Sequence, residues 1–132
     1  MRVEIDSLDR DAWDAACEPV RAPLQQAWAY GEAMARLGAR IRRCVVIDQG
    51  RAAALAQVSA RKSLGVSFAA CAHGPVWLAD LAPSDRAQAY RAIRRARLFG
   101  RPCVTVFAPF DAAGDKPGHA PGVERIDRKS TR

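Results

Sequence analysis

The chain is 132 residues long, 49% hydrophobic and 27% charged, with a formal charge of +7 at neutral pH. That length suits one domain with one sizeable core, and the composition is that of a globular protein, neither fibrous nor low-complexity. No apolar run approaches the ~20 residues of a membrane span, the opening MRVEIDSLDRD has no apolar leader core, and Cys17, Cys44, Cys71 and Cys103 form no CxxC pair.

In chain order, Arg2–Ile5 alternates polar and apolar residues and predicts a first strand. Ser7 or Asp9 can cap a short helix carrying Trp13, which must stop before Pro19. Residues 23–37 predict one continuous amphipathic helix. Its apolar stripe is Leu24, Trp28, Gly31, Met34 and Leu37, with Pro23 in the first turn and Gly38 ending it. Residues 42–47 predict a strand leading into the turn Asp48-Gln49-Gly50-Arg51. Residues 52–61 return as a second hairpin strand despite their alanines, with Leu55, Gln57 and Ser59 on one face. After a turn at 62–65, residues 66–72 predict another strand, and Gly74-Pro75 bends the chain toward Val76 and Trp77. Ser84 is the expected cap of a helix through Ile93 toward Gly100, and residues 103–107 predict a final strand. The expected fold class is therefore α/β, with a mixed, mainly antiparallel sheet flanked by helices, over a domain at 1–109. From 110 to 132 the chain is rich in Gly, Pro and charge, the composition of a disordered tail.

Arginine outnumbers lysine eighteen to three, and the basic residues form two runs. Arg36, Arg40, Arg42, Arg43, Arg51, Arg61 and Lys62 fill the middle of the chain, and Arg86, Arg91, Arg94, Arg95, Arg97 and Arg101 follow on the later helix. Such stripes attract phosphate, so a basic nucleic-acid or polyanion module is one reading. In the sequence, aromatics do not interleave with these arginines as stacking platforms for bases would. An anionic small acceptor would use the same charge.

Other chemistries have weaker support. The serines have no G-x-S-x-G context. Cys71 and His73 are two apart, either a Cys–His pair or a buried thiol beside a turn histidine. Glu32 is a base in an apolar setting or a solvated carboxylate near Arg36. Gln25 and Gln26 either hydrogen-bond a substrate or complete a first helical turn. The free thiols and the absence of a leader point to the cytoplasm, without a metal site.

Pro23-Leu24-Gln25-Gln26-Ala27-Trp28-Ala29-Tyr30-Gly31-Glu32, together with Gly74-Pro75-Val76-Trp77, resembles the N-terminal half of Fem-type (FemAB-like) proteins, double-domain acyltransferases of the GNAT superfamily. The resemblance covers residues 20–107. It implies a GNAT-like domain of an N-acyl or aminoacyl transferase, with acetyl-coenzyme A or aminoacyl-tRNA as the family's donors. It also implies a second GNAT-like domain or chain as partner. Trp28, Tyr30 and Arg61 become candidate substrate-binding residues on the acceptor side; no catalytic residue carries over. The loop where the superfamily cradles the coenzyme pyrophosphate on backbone N–H groups falls here at 78–83. It has no glycine, and it contains Asp80 and Pro83. No cofactor is therefore expected in this chain. A competent small N-acetyltransferase is the alternative enzyme reading.

Overall fold

A computed structural model describes residues 1–109; the expected tail at 110–132 lies outside the described residues. The described chain is of α/β class: a six-stranded, mainly antiparallel sheet carries three helices. The strands are β1 (Arg2–Ile5), β2 (Arg40–Asp48), β3 (Arg51–Ser63), β4 (Val66–Ala72), β5 (Val76–Trp77) and β6 (Cys103–Ala108). The helices are α1 (Arg10–Cys17), α2 (Trp28–Arg36) and α3 (Pro83–Arg95). The sheet order is β1-β2-β3-β4-β6, with β5 pairing separately on β3. Among the described residues only β4 and β6 run parallel, and the connection through β5 and α3 supplies the crossover that a parallel pair needs.

The two hairpins are set by their turns. Gln49 and Gly50 sit at φ +51° and +74° between paired Asp48 and Arg51, and Leu64 and Gly65 at φ +52° and +81° between paired Ser63 and Val66. Two consecutive positive φ values are what a two-residue turn needs to match strand twist. Along β3 the side chains alternate between two buried layers. Ala54, Ala56, Val58 and Ala60 pack with Cys44, Val46, Cys71, Ala89, Ile93 and Phe99 beneath α3. Leu55 joins Val45 and Val76 against Trp13 and Cys17 of α1, with Trp28 beside them. The alanines that are poor strand formers are thus in the middle of a three-layer structure, where their small size lets α3 approach the sheet.

Three sequence expectations are corrected. The helix over 23–37 is broken: Leu24–Gln26 forms a single 3-10 turn, and Ala27 is extended at φ −70°, ψ 144° before α2 begins. At the break the Gln57 side-chain amide donates to the Gln25 carbonyl at 3.2 Å and to the Ala27 carbonyl at 2.8 Å, and the Ala27 carbonyl also accepts from the Tyr30 and Gly31 N–H groups that open α2. The ends of the expected stripe, Leu24 and Leu37, are 68% and 70% exposed as a result. Ser84 does not cap α3; Pro83 takes the first helical position, where its fixed φ fits and its missing N–H costs nothing. Glu32 is the half-exposed carboxylate of the solvated reading, but its ion pair, at 3.4 Å, is with Arg43 and not with Arg36.

Candidate functional site

The strand β3 has a gap in its hydrogen-bonding edge. It pairs with β4 from Ser59 to Ser63 and with β5 at Ala54 and Leu55, leaving residues 56–58 without a strand on that side. The Gln26 side chain fills the gap. Its Oε1 accepts from the Gln57 backbone N–H at 2.7 Å, and its Nε2 donates to the Gln57 carbonyl at 3.2 Å and the Ala72 carbonyl at 2.7 Å. Gln26 is fully buried, and its own carbonyl accepts from the Trp13 indole at 2.8 Å. A side-chain amide has the donor and acceptor of a peptide group, so Gln26 serves as a one-residue substitute strand. Gly74 makes this possible: a Cβ there would lie 2.8 Å from both Gln26 Nε2 and Cys71 Sγ.

A second layer of the same network lies on α2. Gln57 Oε1 accepts from Arg43 Nε at 2.8 Å, and Arg43 Nη2 donates to the Trp28 carbonyl at 3.1 Å. The Arg43 guanidinium is stacked 3.5 Å from the Trp28 ring centroid, with the residue 8% exposed. Burial lowers its pKa, and Glu32 acts in the opposite direction. A Cβ on Gly31 would collide with the Gln57 amide and come within 2.8 Å of Arg43 Nη2. Gln26, Trp28, Gly31 and Gly74, which sequence reading set together as one motif, are therefore one mechanical joint between α2, β3 and the β4–β5 connection. Arg43 and Gln57 complete it. Gln57 stood out only as a polar residue inside an apolar strand, and Arg43 was hidden among the surface arginines.

The joint is internally satisfied and has no room for a ligand. The crevice beside it, bordered by Tyr30, Met34, Ser59, Ala70 and Ala72, holds about 10 Å³, enough for one water. The three expected binding residues do not converge on a single pocket. The Trp28 ring is covered by Arg43 and packs on the α1 cluster; Tyr30 is half-buried in the crevice. Arg61 is exposed and donates to the Leu37 carbonyl at 2.9 Å, closing the C-terminal end of α2.

Tyr30 and Arg61 do border one open surface. On the α2 side of the sheet, Phe68, Ala70 and Ala72 of β4 lie beside Val104, Val106 and Ala108 of β6 in register. Phe68, Val104 and Val106 are 51%, 50% and 57% exposed, and Arg61 is the cross-strand neighbour of Phe68. The layer of α1 and α2 packs on β2, β3 and β5, and α2 reaches the inner border of β4 at Ala70 and Ala72. Beyond β6 the sheet has no further strand among the described residues.

Other candidate chemistry is closed. The Cys71 thiol is buried against Gln26, and burial pushes it up to about 12, which removes it as a nucleophile; His73 lies in the turn after β4. Among the described residues no group of three metal-ligating side chains occurs, and no helix is long and apolar enough to cross a membrane. At the start of α3, Pro83 supplies no N–H, the Asp85 N–H turns back to the Ala82 carbonyl, and the Asp85 carboxylate occupies the first turn. The Leu78 N–H is bonded to Ala53.

Arginine and aromatic residues separated in sequence meet in space. Arg40 lies over Phe99, Arg86 over Trp77 and Arg94 over Phe107, each 5.1–5.3 Å from the ring centroid. Trp77, Tyr90 and Phe107 form a ladder of edge-to-face contacts. These rings have their neighbours already, which leaves them poor platforms for stacked bases. Comparison with known proteins finds no matching family model, no matching curated protein and no matching solved structure.

Proposed function

We propose that this chain is the acceptor-side, coenzyme-free domain of a Fem-like GNAT acyltransferase, completed by a second GNAT-like domain or chain that carries the transfer chemistry. The observation that carries this reading is the half-covered sheet. Among the described residues, the apolar face of β4 and β6 and the outer edge of β6 are left open beside Tyr30 and Arg61. Half-exposed Phe68, Val104 and Val106 beside an edge strand are the features of a surface built to be covered. A second domain seated there would place Tyr30 and Arg61 on the rim of the shared groove, where the acceptor binds. Trp28 then acts through the joint that holds α2, not by touching the acceptor.

The start of α3 supports the absence of a coenzyme cradle. A pyrophosphate needs free N–H groups at a helix N-terminus, and here a proline and a carboxylate stand in their place. The four cysteines are free, which fits the cytoplasmic placement expected from the sequence. Calorimetric titration of the chain with acetyl-coenzyme A separates this reading from a competent small N-acetyltransferase. The expected result is that the chain alone binds acetyl-coenzyme A no more tightly than inorganic pyrophosphate. A micromolar dissociation constant, about −8 kcal/mol, that excess pyrophosphate does not abolish would overturn it in favour of the acetyltransferase.

A further inference from the structure

A cavity of about 560 Å³ opens at the far end of α3 from its proline, between the last helical turn, the 97–101 loop and the first half of β6. Arg94, Arg95, Arg97 and Arg101 line it, with Cys103 and Thr105 on its β6 side and no carboxylate among the described residues of its wall. None of the four arginines is in an ion pair among the described residues. The C-terminal dipole of α3 contributes only about half a negative charge, which four guanidiniums outweigh.

The wall is held in shape from behind. Phe99 is buried beneath the Arg40 guanidinium, which itself donates to Ser67 Oγ at 2.7 Å. Arg94 rests on the Phe107 ring. Arg97 and Gly100, at φ +51° and +74°, curl the loop back so that Arg97 and Arg101 meet the helix arginines around one volume. A non-glycine residue in that region costs energy and is retained where surrounding structure enforces it.

We infer that this cavity binds a small phosphorylated molecule, holding its phosphate or pyrophosphate group in the forks of these arginines. The volume falls within the ~300–1,000 Å³ of small-molecule sites. Planar guanidiniums grip phosphate oxygens in pairs. The same phosphate chemistry could come from a nucleic-acid backbone, but the arginines close on one volume and do not follow a strand's path. The site is separate from the β4–β6 face and does not depend on the reading of that face.

The test is a calorimetric titration of the full chain with inorganic pyrophosphate at about 150 mM salt, where surface charges more than ~8 Å apart are screened. One saturable site is expected. Arg97→Gln and Arg101→Gln should each weaken it about tenfold or more, in line with charge-assisted bonds of ~1.5–3 kcal/mol. Arg51→Gln, in the turn at the other end of β3, should leave it unchanged, with melting temperatures showing that every variant is folded. Absence of saturable binding by the unaltered chain would overturn the inference. So would an equal loss in Arg51→Gln, or displacement of pyrophosphate by oligothymidylates with affinity that rises with their length.

Discussion

Gln26 supplies to β3 the hydrogen bonds of a missing strand, and so the heaviest single-residue penalties should fall on this joint rather than on the larger apolar residues. Gln26→Ala removes three hydrogen bonds and leaves buried backbone groups of Gln57 and Ala72 unpaired, a loss of about 3–5 kcal/mol by urea unfolding. Gly31→Ala should lose about 1–3 kcal/mol through overpacking against Gln57 and Arg43. A loss below ~1 kcal/mol for Gln26→Ala would mean the gap in β3 is filled by something else. The buried thiols give a pH prediction. Burial pushes Cys17 up to about 11 and Cys44 and Cys71 up to about 12, from an ordinary value of 9.0, and raises Tyr90 as well. These groups are neutral in the folded chain where the unfolded chain would ionise them. Their contribution is complete below pH 9 and declines as pH rises from about 9 toward 12. Unfolding free energy should therefore fall across that window, and native alkylation at pH 8 should label half-exposed Cys103 while sparing the other three.

At the scale of elements, the hairpins are closed by turns whose first residues are poorly suited to their backbone. Leu64 is fully exposed at φ +52°, a region where asparagine is far better tolerated than leucine. Leu64→Asn should raise unfolding free energy by about 0.5–1 kcal/mol; a decrease would show that Leu64 makes a contact in solution. Most elements were legible from local signals: the period-two strands, the Gly50 and Gly65 turns, and Asp9 capping α1 through the Ala12 N–H. The broken helix at Ala27 was not. Residues 23–37 have a good helical period, and the break is held by Gln57, more than twenty residues from Gln25 and Ala27, whose side-chain amide bonds both of their carbonyls. Joining Gln26, Trp28, Gly31 and Gly74 into one pattern was possible in sequence. Their shared purpose was not, because it depends on where β4 leaves β3. The separation of Trp28 from Tyr30 and Arg61 was equally hidden, since a helical stripe does not reveal that Arg43 covers the indole.

For the whole molecule, the net charge of +7 and the occupied aromatic rings predict a particular behaviour toward nucleic acid. Oligonucleotide binding should be weak, indifferent to sequence and largely gone at physiological salt. Salt-resistant binding lost in Trp28→Ala or Tyr30→Ala would instead identify a base-stacking module, where each base contributes ~1–3 kcal/mol. The larger asymmetry is in the layers. One side of the sheet is roofed by α3, and among the described residues the other is packed by α1 and α2 over β2, β3 and β5, leaving Phe68, Val104 and Val106 exposed beside the β6 edge. The most direct measurement is sedimentation velocity of this chain mixed with a separately produced candidate second domain of GNAT-like sequence, with Val106→Glu as the control. A 1:1 complex is expected, lost in Val106→Glu while the melting temperature of that variant is retained. Two species sedimenting independently at concentrations of about 100 μM, where even interactions near −5.5 kcal/mol would register, or a complex indifferent to Val106→Glu, would contradict it.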